Sequence, residues 1–93
     1  MSEAISIATG TGDVLAFTGA TRLHGYSVRE SATTGAVATV ILRDGTSVAG
    51  TPVAYIELAA NASDAARIPT VDISAGIFVD RVAGETELVL YVD

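Results

Sequence analysis

Hydrophobic and polar positions alternate with a period of two along most of this chain, and glycines and other turn formers interrupt the alternation at short intervals. Such a pattern belongs to short antiparallel strands rather than to helices. It is plainest in Thr86-Glu87-Leu88-Val89-Leu90-Tyr91-Val92, where Leu88, Leu90 and Val92 share one face and Glu87, Val89 and Tyr91 the other. Just upstream, Ile77-Phe78-Val79-Asp80-Arg81-Val82 is β-branched and aromatic, and Ala83-Gly84-Glu85 joins the two runs. That short glycine-containing link predicts a terminal hairpin. A second hairpin is predicted around Arg43-Asp44-Gly45-Thr46, because Asp-Gly tolerates the left-handed conformations of a tight turn. Its incoming strand covers residues 36–43.

Further strands are predicted at residues 4–8 and 13–17, separated by Thr9-Gly10-Thr11-Gly12, and at 22–31, where Gly25 marks a bulge or the close approach of another backbone. Residues 53–59 form another, after Thr51-Pro52. The alanine-rich stretch 58–67 reads differently: Ala favours helix, Asn61, Ser63 and Asp64 favour turns, and Pro69 stops any helix that reaches Ile68. It is expected to be a connection crossing between sheets, with room for a short helical turn. About eight short strands and one longer crossover predict an all-β fold, an antiparallel two-sheet β-sandwich with Greek-key or jelly-roll connections. A small β-barrel is the alternative.

Some strands are apolar on both faces. In residues 36–42, Val37 and Ile41 oppose Ala38, Val40 and Leu42, so one set fills the core and the other remains outside. Aliphatics on an outer face imply a covering element or a second chain. Val37, Ile41, Tyr26, Tyr55 and Tyr91 are therefore the candidate interface residues, and a homo-oligomer is expected. With 93 residues the chain is a single domain (1–93), in which residues 1–12 form either an N-terminal arm or a first strand. There is no cysteine, so the core holds without disulfides.

Charge narrows the partners. Five cations, all Arg, face eleven carboxylates for a net charge of −6, a poor match for nucleic acid or an anionic membrane surface. No apolar run approaches the roughly 20 residues of a membrane helix. The first residues lack the basic and apolar regions of a secretory signal, which predicts synthesis in the cytoplasm without a signal peptide.

The search for chemistry finds little. A phosphate-binding P-loop needs a lysine, and there is none. Gly10-Thr11-Gly12 begins like a dinucleotide fingerprint but has Leu15 at the third glycine position. No Gly-x-Ser-x-Gly elbow occurs. His24 is the only histidine, so a two-histidine zinc site is impossible, and a triad on it would need Ser and Asp from elsewhere. No spacing of carboxylates makes a calcium loop. The expectation is a protein without catalytic residues, cofactor or metal. Tyr26 and Tyr55 would be the contacts of the alternative reading, a carbohydrate-binding or adhesin module, although aromatics are few for a stacking platform.

Val28-Arg29-Glu30-Ser31, the run from Ala38-Thr39-Val40-Ile41-Leu42 through Arg43-Asp44-Gly45-Thr46, and Ser74-Ala75-Gly76-Ile77-Phe78-Val79-Asp80-Arg81-Val82-Ala83-Gly84 resemble the small β-sandwich virion proteins of tailed phages infecting actinobacteria. The resemblance covers residues 22–93 and is to capsid decoration or cement proteins. It implies a non-enzymatic structural protein on the capsid surface of the virion, bound to the major capsid protein and stabilising the shell. A homo-oligomer, with a trimer favoured, follows from the same resemblance.

Overall fold

The computed structural model describes residues 3–93. Eight strands follow one another: β1 (Glu3–Gly10), β2 (Val14–Thr18), β3 (Thr21–Glu30), β4 (Ala38–Asp44), β5 (Thr51–Leu58), β6 (Ser63–Ile73), β7 (Gly76–Ala83) and β8 (Thr86–Val92). They form two four-stranded antiparallel sheets, β1-β8-β3-β6 (sheet A) and β2-β7-β4-β5 (sheet B), packed face to face. The sandwich is observed, not the barrel. Strands pair first with last, β1 with β8, β2 with β7, β3 with β6 and β4 with β5, as in a long hairpin rolled into two layers. This is the jelly-roll order of strands. Only the β4–β5 link stays within one sheet; the other six cross the sandwich.

The predicted alternation places the core correctly. Leu88, Leu90 and Val92 point inward with Leu23 and Val28 from sheet A, and meet Ala38, Val40, Leu42, Ile56, Ile77 and Val79 from sheet B. Complete burial of each Leu or Ile contributes about 2 kcal/mol, which is how the sandwich holds without disulfides.

Several local expectations are corrected. Residues 77–82 and 86–92 do not form a hairpin, because β7 lies in sheet B and β8 in sheet A. Gly84, at φ 79°, lets the chain leave one sheet and enter the other beside the Val37 carbonyl. Periodicity reports which face a residue is on, whereas the choice between hairpin and crossover depends on strands far away in sequence. The Asp-Gly hairpin does join β4 to β5, but Asp44 pairs with Thr51 and residues 45–50 form the loop. Residues 63–67, expected in the connection, begin the longest strand instead. The crossing between sheets is confined to residues 59–62, where Ala62 N–H donates to the Ala59 carbonyl and Asn61 takes φ 61°. Pro69 sits in β6 on the open edge of sheet A, within a register shift where no ladder donor is required. Opposite it, Gly25 shows both predicted features, a bulge and a backbone approach so close that a Cβ would collide with the Ala66 carbonyl. Of residues 1–12, Met1 and Ser2 lie outside the described residues, and Glu3–Gly10 is an edge strand rather than an arm.

Polar side chains, Glu30 and Arg81 among them buried, tie the ends of the sandwich. At one end, Glu30 accepts hydrogen bonds from the backbone N–H of Asn61 (2.8 Å), Ala32 (2.6 Å) and Ala36 (3.3 Å), joining the β3–β4 loop to the β5–β6 turn. Arg81 works at the same end, donating to the carbonyls of Ala8 (2.7 Å), Thr86 (3.1 Å) and Gly12 (3.2 Å). Burial pulls its guanidinium below the usual range, opposed by Asp13 and Glu85. At the other end, Asp44 receives Ala75 N–H (3.0 Å) and both the N–H and hydroxyl of Ser74 (3.1 Å each to Oδ2), closing the β6–β7 turn.

These bonds make stability depend on acid. The Asn61 and Ala32 amides hold Glu30 below its ordinary value, the Ala75 amide does the same for Asp44, and the hydrogen bond from His24 does so for Asp93. Each folded-state pKa is depressed, so the unfolded chain binds more protons as pH falls. The stabilisation is complete above the unfolded carboxylate range, near pH 4, and is lost as pH drops through the folded values. Urea midpoints should be flat from pH 7 to about 5 and fall steeply below about 4. Glu30→Gln and Asp44→Asn should each lower the midpoint at pH 7 and flatten that acid slope. Unchanged slopes in both variants would show that other carboxylates carry it.

Candidate interaction surfaces

The two outer faces differ in chemistry because the outward positions of the two sheets do. On sheet B, β2 contributes Leu15, β4 Ile41 and Arg43, β5 Tyr55 and Glu57, and β7 Phe78, Asp80 and Val82. Register brings them together: Ile41 lies opposite Tyr55 on one side and Asp80 on the other, and Phe78 lies between Arg43 and Leu15. Tyr55 is 71% exposed, Val82 56% and Leu15 45%. Three large apolar side chains thus stand in solvent on one sheet face.

In the middle of this face Arg43 and Asp80 form an ion pair, with Nη2 and Nε each 3.1 Å from Oδ2, while Nη1 donates to the Gly50 carbonyl at 3.0 Å. Their side chains are only 17% and 14% exposed although they point away from the core. The pair is internally neutral, so the centre of this face is apolar and uncharged, with the exposed Glu57, two residues from Tyr55 on β5, at its rim.

Sheet A turns the opposite character outward. Ser6, Val89, Ser27 and Ala65 are direct neighbours across all four strands. Beside them runs a row containing Glu87, Arg29 and Ser63, in which Arg29 Nε lies 2.7 Å from Glu87 Oε1. Small side chains in the middle leave a shallow trough of about 830 Å³.

Near the edge of the same sheet, His24 Nδ1 is 3.2 Å from Thr70 Oγ1 and His24 Nε2 is 2.5 Å from Asp93 Oδ1, with Arg22 between Asp72 and Asp93. The order hydroxyl–imidazole–carboxylate has the connectivity of a triad. Thr70, however, lies exposed on an edge strand, and neither the trough nor the shallow depression beside Phe17 and Asp93 is lined by Thr70 or His24. What the arrangement does is pin the residue after β8 to β3 and β6. Among the described residues no group of three or more His, Cys, Asp or Glu side chains is placed to hold a metal.

The predicted interface residues separate. Ile41 and Tyr55 meet on the outer face of sheet B, as the two-sided pattern of β4 implied. Val37 is 65% exposed but precedes β4, at the end of the sandwich. Tyr91 is exposed on sheet A. Tyr26 is 8% exposed and belongs to the core, so it is withdrawn as a contact residue. The bulge at Gly25 shifts the alternation within β3 and turns the ring inward, where burial and then Asp64, the acceptor of its hydroxyl at 3.3 Å, push its pKa up. Leu15, Phe78 and Val82 were not singled out from sequence; their signal was the apolar outward position in strands whose alternate residues fill the core.

The fold and surfaces define an eight-stranded jelly-roll sandwich with one apolar and one polar outer sheet. Comparison with known proteins finds no matching family profile, no matching curated protein and no matching solved structure.

Proposed function

We propose that this chain is a non-enzymatic structural protein of a tailed-phage virion, a decoration or cement subunit that binds the outer surface of the capsid and stabilises it as a homo-oligomer, most simply a trimer. The observation that carries the reading is the apolar outer face of sheet B, with Leu15, Tyr55 and Val82 exposed around the neutral Arg43–Asp80 pair. Exposed apolar patches rimmed by polar residues mark protein-binding surfaces. The resemblance of residues 22–93 to virion proteins supports the same reading, and the remaining negative charge suits basic patches on a shell protein.

Mass spectrometry of purified particles should detect the protein, and its absence would exclude the role. In add-back to shells lacking it, the wild-type chain should raise the capsid melting temperature. Tyr55→Glu places an unpaired carboxylate in the contact and should weaken assembly by about a hundredfold, equivalent to roughly 3 kcal/mol. Sedimentation of the free protein separates loss of self-association from loss of capsid binding. If Tyr55→Glu assembles and binds like wild type, the sheet B face is not the contact.

A further inference from the structure

We propose that the trough on sheet A is a binding site for a neutral polyhydroxylated ligand, an uncharged oligosaccharide. The inference is independent of the virion role, since it concerns the opposite outer face.

The trough's shape follows from register. Its floor is the row Ser6-Val89-Ser27-Ala65 crossing all four strands. Two residues along the strands in one direction stands the Arg29–Glu87 pair, and two residues in the other stands Tyr91, opposite Gly25. Strand spacing makes the floor about 14 Å long, and Tyr91, beyond the cavity, lies four residues from the Glu87 ridge, about 13 Å. The cavity of about 830 Å³ falls in the range of small-molecule sites.

The chemistry of the lining selects the ligand class. Ser6, Ser27 and Ser63 each offer a hydroxyl that both donates and accepts, and no hydrogen bond among the described residues engages them. Arg29 supplies further donors and Glu87 further acceptors, held together at 2.7 Å so that the pair carries no net charge. Val89 in the floor, and the 39%-exposed Tyr91 outside the cavity two residues further along β8, give the C–H faces of an extended sugar chain an apolar and an aromatic surface. A carboxylated or phosphorylated ligand would find no uncompensated cation, since Arg29 is the lining's cation and Glu87 already neutralises it. A purely apolar one would bury the serines and the ion pair without partners. An uncharged polyol satisfies the hydroxyls, the pair and the ring together.

The test uses the ¹⁵N-labelled full chain titrated with maltohexaose, cellohexaose, mannohexaose and chitohexaose, and with hexagalacturonate as an anionic comparison. At least one neutral hexamer should give saturable amide shifts with Kd on the order of 1 mM or tighter, centred on Ser6, Ser27, Arg29, Glu87 and Val89. Hexagalacturonate should bind at least tenfold more weakly. Ser27→Leu fills the floor and should weaken binding at least tenfold; Glu87→Gln, at the exposed ridge, serves as the second variant if Ser27→Leu fails to fold, and should also weaken it. The proposal is overturned if no neutral hexamer binds at 10 mM, if the shifts map to sheet B, or if folded Ser27→Leu or Glu87→Gln binds as tightly as wild type. Tyr55→Glu should bind the hexamer unchanged, which keeps the failure of this site distinct from failure of the sheet B contact.

Discussion

Replacing Arg81 by Met is expected to destabilise the protein by about 3 kcal/mol, lowering its melting temperature by roughly 12–24 °C for a domain of this size. The side chain is 8% exposed, and its guanidinium serves three backbone carbonyls belonging to β1, the β1–β2 link and β8. Hydrogen bonds from a charged donor contribute roughly 1.5–3 kcal/mol each, and a carbonyl left buried without a partner adds a desolvation cost. Because Ala8 and Gly12 are exposed enough to recruit water, the three losses do not sum fully. Met retains the length and packing of the stem, so the variant isolates the polar contribution. Arg81→Lys keeps the charge but not the planar fork, and should fall between the two. Calorimetry reads the result directly; a shift under about 3 °C for the Met variant would mean that the guanidinium is replaced at little cost.

A comparable loss is expected for Gly84→Val, for a different reason. At φ 79° a β-branched residue is strained, and its Cβ would lie 2.6 Å from the Val37 carbonyl and 2.8 Å from Ala38. Left-handed strain of about 1–2 kcal/mol adds to an overpacking cost of about 1–3 kcal/mol, giving roughly 3 kcal/mol in all. Gly19→Ala is the built-in control. Gly19 also has positive φ, 102°, but nothing lies within 4 Å of the added Cβ. It should lose only the conformational part, about 1–2 kcal/mol. Equal urea midpoints for the two variants would place the whole cost in the dihedral and remove the steric argument.

The residues at these positions show what the sequence could disclose. Alternation in β4 and β8 identified inward and outward sides correctly, since side-chain direction in a strand is a local property. The same locality hid the topology. Gly84 looked like a hairpin glycine because a crossover and a hairpin need the same backbone freedom there, and only the pairing of β8 with β1 and β3 distinguishes them. Arg81 sat in an outwardly unremarkable strand, and nothing adjacent to it announced that its acceptors would come from Ala8 and Gly12. The candidate surfaces were half legible: Ile41 and Tyr55 were chosen from an apolar outward face, whereas the trough is made by register across four strands, which no single segment encodes. Tyr26 failed because a one-residue bulge reverses every face assignment beyond it.

The order β1-β8-β3-β6 and β2-β7-β4-β5 has a consequence for the protein as it is made. Both β7 and β8 are interior strands, and they are made after the other six. A nascent chain carrying only β1 to β6 has β1 and β2 with no neighbour at all, and no path from β3 to β1 or from β4 to β2 across the gaps. Synthesis therefore delivers the middle of each layer after both of its edges, and neither sheet can close before β7 and β8 are made. Premature termination within the last two strands would remove the keystone of a layer rather than trim its edge.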